Sequence, residues 1–101
     1  MNMKLSDSDF QVELEKLGER IRQVRKHRGL RLLDLEVLSG ISASHISRYE
    51  RGSEDVRFQT IYKLARALEV EVKVLMDYDG PLPSNAGFKG LAKQKGKKPK
   101  S

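Results

Sequence analysis

A chain of 101 residues has room for one small domain, since domains usually run to roughly 100 to 150 residues, and the large enzyme folds are excluded. Apolar residues make up 38% and charged residues 34%, and the absence of cysteine excludes disulfides and thiolate metal sites. Twenty Lys and Arg against fourteen Asp and Glu give a net charge of +6, which suggests a polyanionic partner only where the charge is concentrated.

The first residues are acidic on balance, with Lys4 and Lys16 against Asp7, Asp9, Glu13 and Glu15. No stretch there has the continuous apolar core of a signal peptide, and no apolar run reaches the roughly 20 residues that cross a bilayer, so a cytoplasmic protein without membrane contact is expected. Ser8, with Gln11 three places on, reads as a capping box. Leu14, Leu17, Ile21 and Val24 then recur at helical steps until Gly29 offers a stop. A second apolar segment, 32–38, ends at Ser39-Gly40-Ile41, where Gly40 can take the positive φ of a tight turn. Ser42 caps a third helix that carries Ile46 and Tyr49 on one side and ends near Gly52. Phe58, Ile61, Leu64, Ala65 and Leu68 mark a fourth. Residues 70–74 alternate like a strand, although Val72, Leu75 and Met76 also fit a short helix. Five short elements leave no room for a sheet of several strands, which favours an all-helical bundle. Residues 81–101 hold Lys89, Lys93, Lys95, Lys97, Lys98 and Lys100 without an acid, among glycines and prolines. The expected organisation is an N-terminal arm over 1–8, a domain over 9–78 and a disordered, flexible basic tail over 79–101.

The stretch 32–50 has helix-turn-helix spacing. Together with Leu17-Gly18-Glu19-Arg20-Ile21-Arg22, Arg25-Lys26-His27-Arg28-Gly29-Leu30, Gly40-Ile41-Ser42, Ile46-Ser47-Arg48-Tyr49-Glu50-Arg51-Gly52 and Thr60-Ile61-Tyr62-Lys63-Leu64-Ala65-Arg66-Ala67-Leu68, it resembles the phage repressor and Cro type (XRE family) helix-turn-helix domain. The resemblance covers residues 14–77 and implies an all-α, compact five-helix DNA-binding domain, usually a homodimer, that regulates transcription. It favours the helical reading of 71–77. The chain departs from the family in having Arg31-Leu32 in place of Ser-Gln, Glu36 in place of Ala and Val56 in place of Pro.

An α-helix fits the major groove, where its first turns can distinguish all four base pairs. By similarity Ala43, Ser44, Ser47 and Arg48 occupy base-facing positions, with His45 close by. The Arg48 guanidinium can donate two bonds to guanine, Ser44 is a less selective donor and acceptor, and Ala43 can touch a thymine methyl. Arg25 and Glu50 align with a family pair whose ion bridge is structural. Ser42 and Arg51 flank the third helix and are assigned to phosphate contact with Arg31 and Arg57. These last two stand just before helices, where a cation is disfavoured by the helix dipole unless a phosphate arrives. Replacing Arg31 with Ser is then expected to stabilise the free domain while weakening DNA binding at all sequences alike.

Leu33, Val37 and Leu38 make the second helix apolar on nearly every side, either as a patch for a second subunit or protein partner or through altered packing within the monomer. By similarity Val70, Val72, Leu75 and Met76 supply a dimer seam. The tail lysines fit an electrostatic tether to DNA or a solubilising segment. With His27 and His45 the only histidines, no metal or cofactor is expected, and no nucleophile elbow or phosphate loop points to an enzyme. The expected function is a sequence-specific DNA-binding regulator, a repressor acting as a homodimer on a palindromic operator. The alternative is an antitoxin that binds a toxin and controls its own operon.

Overall fold

A computed structural model of the chain describes residues 6–91. Its first helix, α1, runs Asp7–His27 and starts before the expected Ser8 cap. Ser6 Oγ accepts the Asp9 N–H (3.2 Å) while the Asp9 carboxylate accepts the Ser6 N–H (3.2 Å). A carboxylate gains from the positive end of the helix dipole and the Gln11 amide does not, so the box closes on Asp9. Gln11 is thereby free to donate to the Gly52 carbonyl at 2.8 Å.

Helix α2 spans Leu32–Ser39, and α3 spans Ala43–Glu50. The chain reverses between them at Gly40, whose φ of 78° lies in the left-handed region that glycine enters without Cβ strain. Helices α4, Phe58–Leu68, and α5, Val72–Met76, complete the domain. The segment that sequence pattern left between strand and helix is therefore helical. Leu75 is fully buried, while Val70, Val72 and Val74 pack against the same core. A strand would have placed Leu75 on the opposite face from those valines.

The core is built from Leu17, Ile21 and Val24 of α1, Leu35 of α2, Ile46 of α3 and Ile61, Leu64, Ala65 and Leu68 of α4. Each fully buried aliphatic side chain contributes about 1.5 to 3 kcal/mol. Helix α1 packs on α3 and α5, and α2 on α3 and α4. Gly18 sets the first of these contacts, because a Cβ there would fall on the Tyr49 carbonyl oxygen and 2.6 Å from that of Glu50. No other residue permits α1 to lie this close to the end of α3.

Beyond α5 residues 77–91 stay against the domain. Arg20, buried in α1, donates to the Val74 carbonyl (2.8 Å) and to those of Gly80 (3.3 Å) and Pro81 (3.1 Å). His27 Nε2 donates to the Pro83 carbonyl at 2.7 Å. Arg28 reaches the carbonyls of Leu68, Glu69 and Ser84 at 2.7–2.9 Å and stacks 4.3 Å from the centre of the Phe88 ring. Glu69, the one non-glycine residue with positive φ (59°) among those described, accepts the Gly90 N–H at 3.1 Å. Residues 79–91 therefore form a strap along the domain, although their composition reads as a free tail. Buried guanidinium donors satisfy the carbonyls of a segment that makes few hydrogen bonds of its own. The lysines at 93, 95, 97, 98 and 100 lie outside the described residues, as do residues 1–5 of the expected arm. Among the described residues no helix is long and apolar enough to cross a membrane, and no cluster of side chains could hold a metal ion.

Candidate nucleic-acid interface

Helix α3 is short, and its stability depends on its ends and its buried side. Ser42, in extended backbone, caps it by accepting the His45 N–H at 3.2 Å, and the Ser42 hydroxyl also meets His45 Nδ1 at 2.8 Å. The Glu36 carboxylate of α2 accepts the Ala43 N–H at 2.7 Å. Two of the free N–H groups at the helix start are thus satisfied, one from each side of the turn.

The far end of α3 is held by a buried pair. Arg25 donates from Nε and Nη2 to the two Glu50 carboxylate oxygens at 2.7 and 2.9 Å, and from Nη1 to the Leu30 carbonyl at 2.8 Å. Every donor and acceptor of this pair has a partner, the condition under which burial of two charges is tolerated.

Between these ends, Ile46 and Glu50 face inward, while Ser44, His45 and Arg48 are exposed and Ala43 and Ser47 are half-buried. The expected base-facing residues thus share one open edge. Arg48 Nη1 lies 3.5 Å from the Glu54 carboxylate, a surface pair that a stronger partner can displace. Ser47 is the hydroxyl partner of Arg51, and both sit beside that edge.

The two cationic helix starts differ. At α2 the Arg31 guanidinium grips Asp34 through Nε (3.1 Å) and Nη2 (2.9 Å), and Asp34 also accepts the Arg31 N–H at 2.8 Å. The guanidinium hydrogen bond first, and the backbone N–H next, hold the Asp34 carboxyl below its ordinary range. The dipole penalty expected for Arg31 is therefore relieved within the chain. Arg57 caps α4 without any side-chain hydrogen bond and is exposed.

Of the residues named for the seam and patch, Leu75 is not at the surface as expected and Leu38 is only half-buried. Leu75 is fully buried in the monomer, leaving half-buried Val70 and Val72 and the 45%-exposed Met76 as the open part of that face. Leu38 packs on the core, whereas Leu33 and Val37 are each 60% exposed. The contribution of Glu36 was not assigned from sequence; its only local signal is a carboxylate at a position where the family pattern has Ala. Arg20, Arg28 and Glu69 gave no local signal for the strap, since their partners in it lie 20 to 61 residues away.

A capped helix propped by a buried ion pair and reached through a left-handed glycine turn defines a helix-turn-helix protein. A model described as helix-turn-helix matches residues 21–75, and the chain belongs to that family, in its XRE-type branch, whose relatives are named as transcriptional regulators. It is 42% identical over 64 residues to the transcriptional repressor RghR of Bacillus subtilis (strain 168), matching 62% of this chain and 47% of RghR. The chain thus spans about half the length of that relative. The regulator SinR of the same organism is 35% identical over 75 residues, 67% of this chain and 68% of SinR. Among solved structures, the restriction-modification controller protein C.AhdI from Aeromonas hydrophila superposes with a TM-score of 0.65 at 39% identity, covering 66% of this chain and 97% of its own.

Proposed function

We propose that this chain is a sequence-specific transcriptional repressor that binds duplex DNA as a homodimer, on a palindromic operator with half-sites about one helical turn, roughly 34 Å, apart. The observation that carries the reading is the edge of α3. Ser44, His45 and Arg48 are exposed together on a helix whose ends are held by Glu36, Ser42 and the Arg25 and Glu50 pair. In this reading Ala43, Ser44, His45, Ser47 and Arg48 face the bases, and Arg31, Ser42, Arg51 and Arg57 meet phosphates. Val70, Val72 and Met76 supply the dimer seam. The relative RghR, named a repressor, supports the direction of control.

Selection of bound sites from random duplexes tests this. The expected result is a two-fold symmetric site with half-sites about 10 base pairs apart. A chain that enriches no duplex at low ionic strength, with its fold intact, overturns it. Replacing Arg31 with Ser takes an exposed guanidinium away from the buried Asp34 carboxylate, which keeps the backbone N–H of residue 31, so the domain is not stabilised and affinity falls uniformly. The basic remainder beyond residue 91 acts as a tether, and its removal should flatten the dependence of binding on salt.

The exposed pair Leu33 and Val37, four residues apart on one face of α2, favours a second role in contacting protein, as an antitoxin contacts its toxin or as one subunit contacts another. Sedimentation of a Leu33→Lys, Val37→Glu variant separates these readings. A dimer that falls apart points to the subunit contact, and an intact dimer that no longer holds a co-expressed toxin points to the antitoxin.

A further inference from the structure

The start of a helix normally attracts a phosphate, because its free N–H groups and dipole both favour an anion. At α3 that position is taken. The Glu36 carboxylate already accepts the Ala43 N–H at 2.7 Å, and Ser42 accepts the His45 N–H at 3.2 Å. A phosphate can meet the exposed Ser42 side chain, but not the Ala43 N–H, which the Glu36 carboxylate already holds. The Glu36 side chain is half-buried and pinned through one oxygen, and its second oxygen has no hydrogen-bond partner among the described residues. The carboxylate thus lies beside Ala43, the first residue of the edge read as groove-facing, with an acceptor to spare.

A carboxylate accepts and does not donate. In the major groove guanine presents two acceptors and thymine presents an acceptor and a methyl group, so both are rejected. Adenine offers an amino group beside the N7 acceptor, which repels a carboxylate. Cytosine alone offers an amino donor without an adjacent acceptor on its own edge. We propose that Glu36 is a specificity-determining residue that selects cytosine at the base pair next to the start of α3. This rests on the reading of α3 as the element that enters the groove.

The test is selection from random duplexes with the full chain and with Glu36→Gln and Glu36→Ala variants, their folds checked by circular dichroism and melting. The native chain should enrich cytosine at one position in each half-site. Glu36→Gln keeps the acceptor for the Ala43 N–H but can also donate, so the preference at that position should move toward adenine while all others stay unchanged. Glu36→Ala should lose the preference and bind the native site about tenfold more weakly. If the Ala variant does not fold, the nearly isosteric Gln variant decides alone. Native base preferences at every position in Glu36→Gln overturn the inference and leave the regulator reading intact. Failure of the native chain to enrich any duplex overturns that reading itself.

Discussion

Helix α3 and the strap over residues 79–91 are both short and polar, yet they are held in opposite ways. Helix α3 has its ends fastened, by Ser42 and Glu36 at one and by Arg25 through Glu50 at the other, so its middle edge stays open. The strap is fastened along its middle, where Arg20, His27 and Arg28 donate into its carbonyls. Fastening at the ends leaves side chains free to read a ligand, and fastening along the length spends them on the chain's own backbone. Substitutions on the α3 edge should therefore change binding without changing stability, and substitutions under the strap should do the reverse.

The largest effect tests the scaffold on which both depend. Arg25→Ala leaves Glu50 buried and unpaired, and a loss of about 3 to 5 kcal/mol in urea unfolding is expected. A small loss would mean that α3 does not need its prop. Arg28→Ala removes charged hydrogen bonds to Leu68, Glu69 and Ser84 and should lose about 2 to 3 kcal/mol by the same measurement, with base preferences unchanged. Altered base preference there would break the division between the two regions.

Arg48→Ala should lose about 1 to 3 kcal/mol of binding to the selected site and relax one base position, with the melting temperature unmoved. Asp34→Asn sharpens the picture at the start of α2. Because Asp34 titrates below its ordinary value in the folded chain, its contribution is complete above the unfolded value of about 3.9 and is lost as pH falls through the lower folded value. Urea titrations should therefore show a gap between native and variant that is flat from pH 7 to about 5 and closes below about 4. The smallest effect is expected from Glu54→Gln. It frees Arg48 from a surface pair and should change stability by less than about 1 kcal/mol.

Much of the candidate site was legible because its signals are local. Ser42 precedes the helix it caps, Gly40 sits where the turn needs positive φ, and Ile46 and Arg48 fall on opposite sides by helical spacing alone. The same local logic misplaced the first cap. Ser6 with Asp9 and Ser8 with Gln11 satisfy one pattern, and the choice followed from the charge of Asp9 and from the bond Gln11 makes to distant Gly52.

Apolar spacing, together with the turn signal of Gly40 and the cap Ser42, determined four helices and the turn between α2 and α3, since each follows from neighbours within about four positions. Local pattern left residues 72–76 open and the family resemblance favoured a helix there, whereas tertiary structure alone decided that Leu75 is core rather than seam and that residues 79–91 are bound to the domain. Those outcomes depend on side chains such as Arg20 and Arg28 meeting carbonyls 54 to 61 residues away. Pairings across such separations leave no mark in local composition, because the energy that fixes them comes from burial and donor geometry that exist only once the helices have packed.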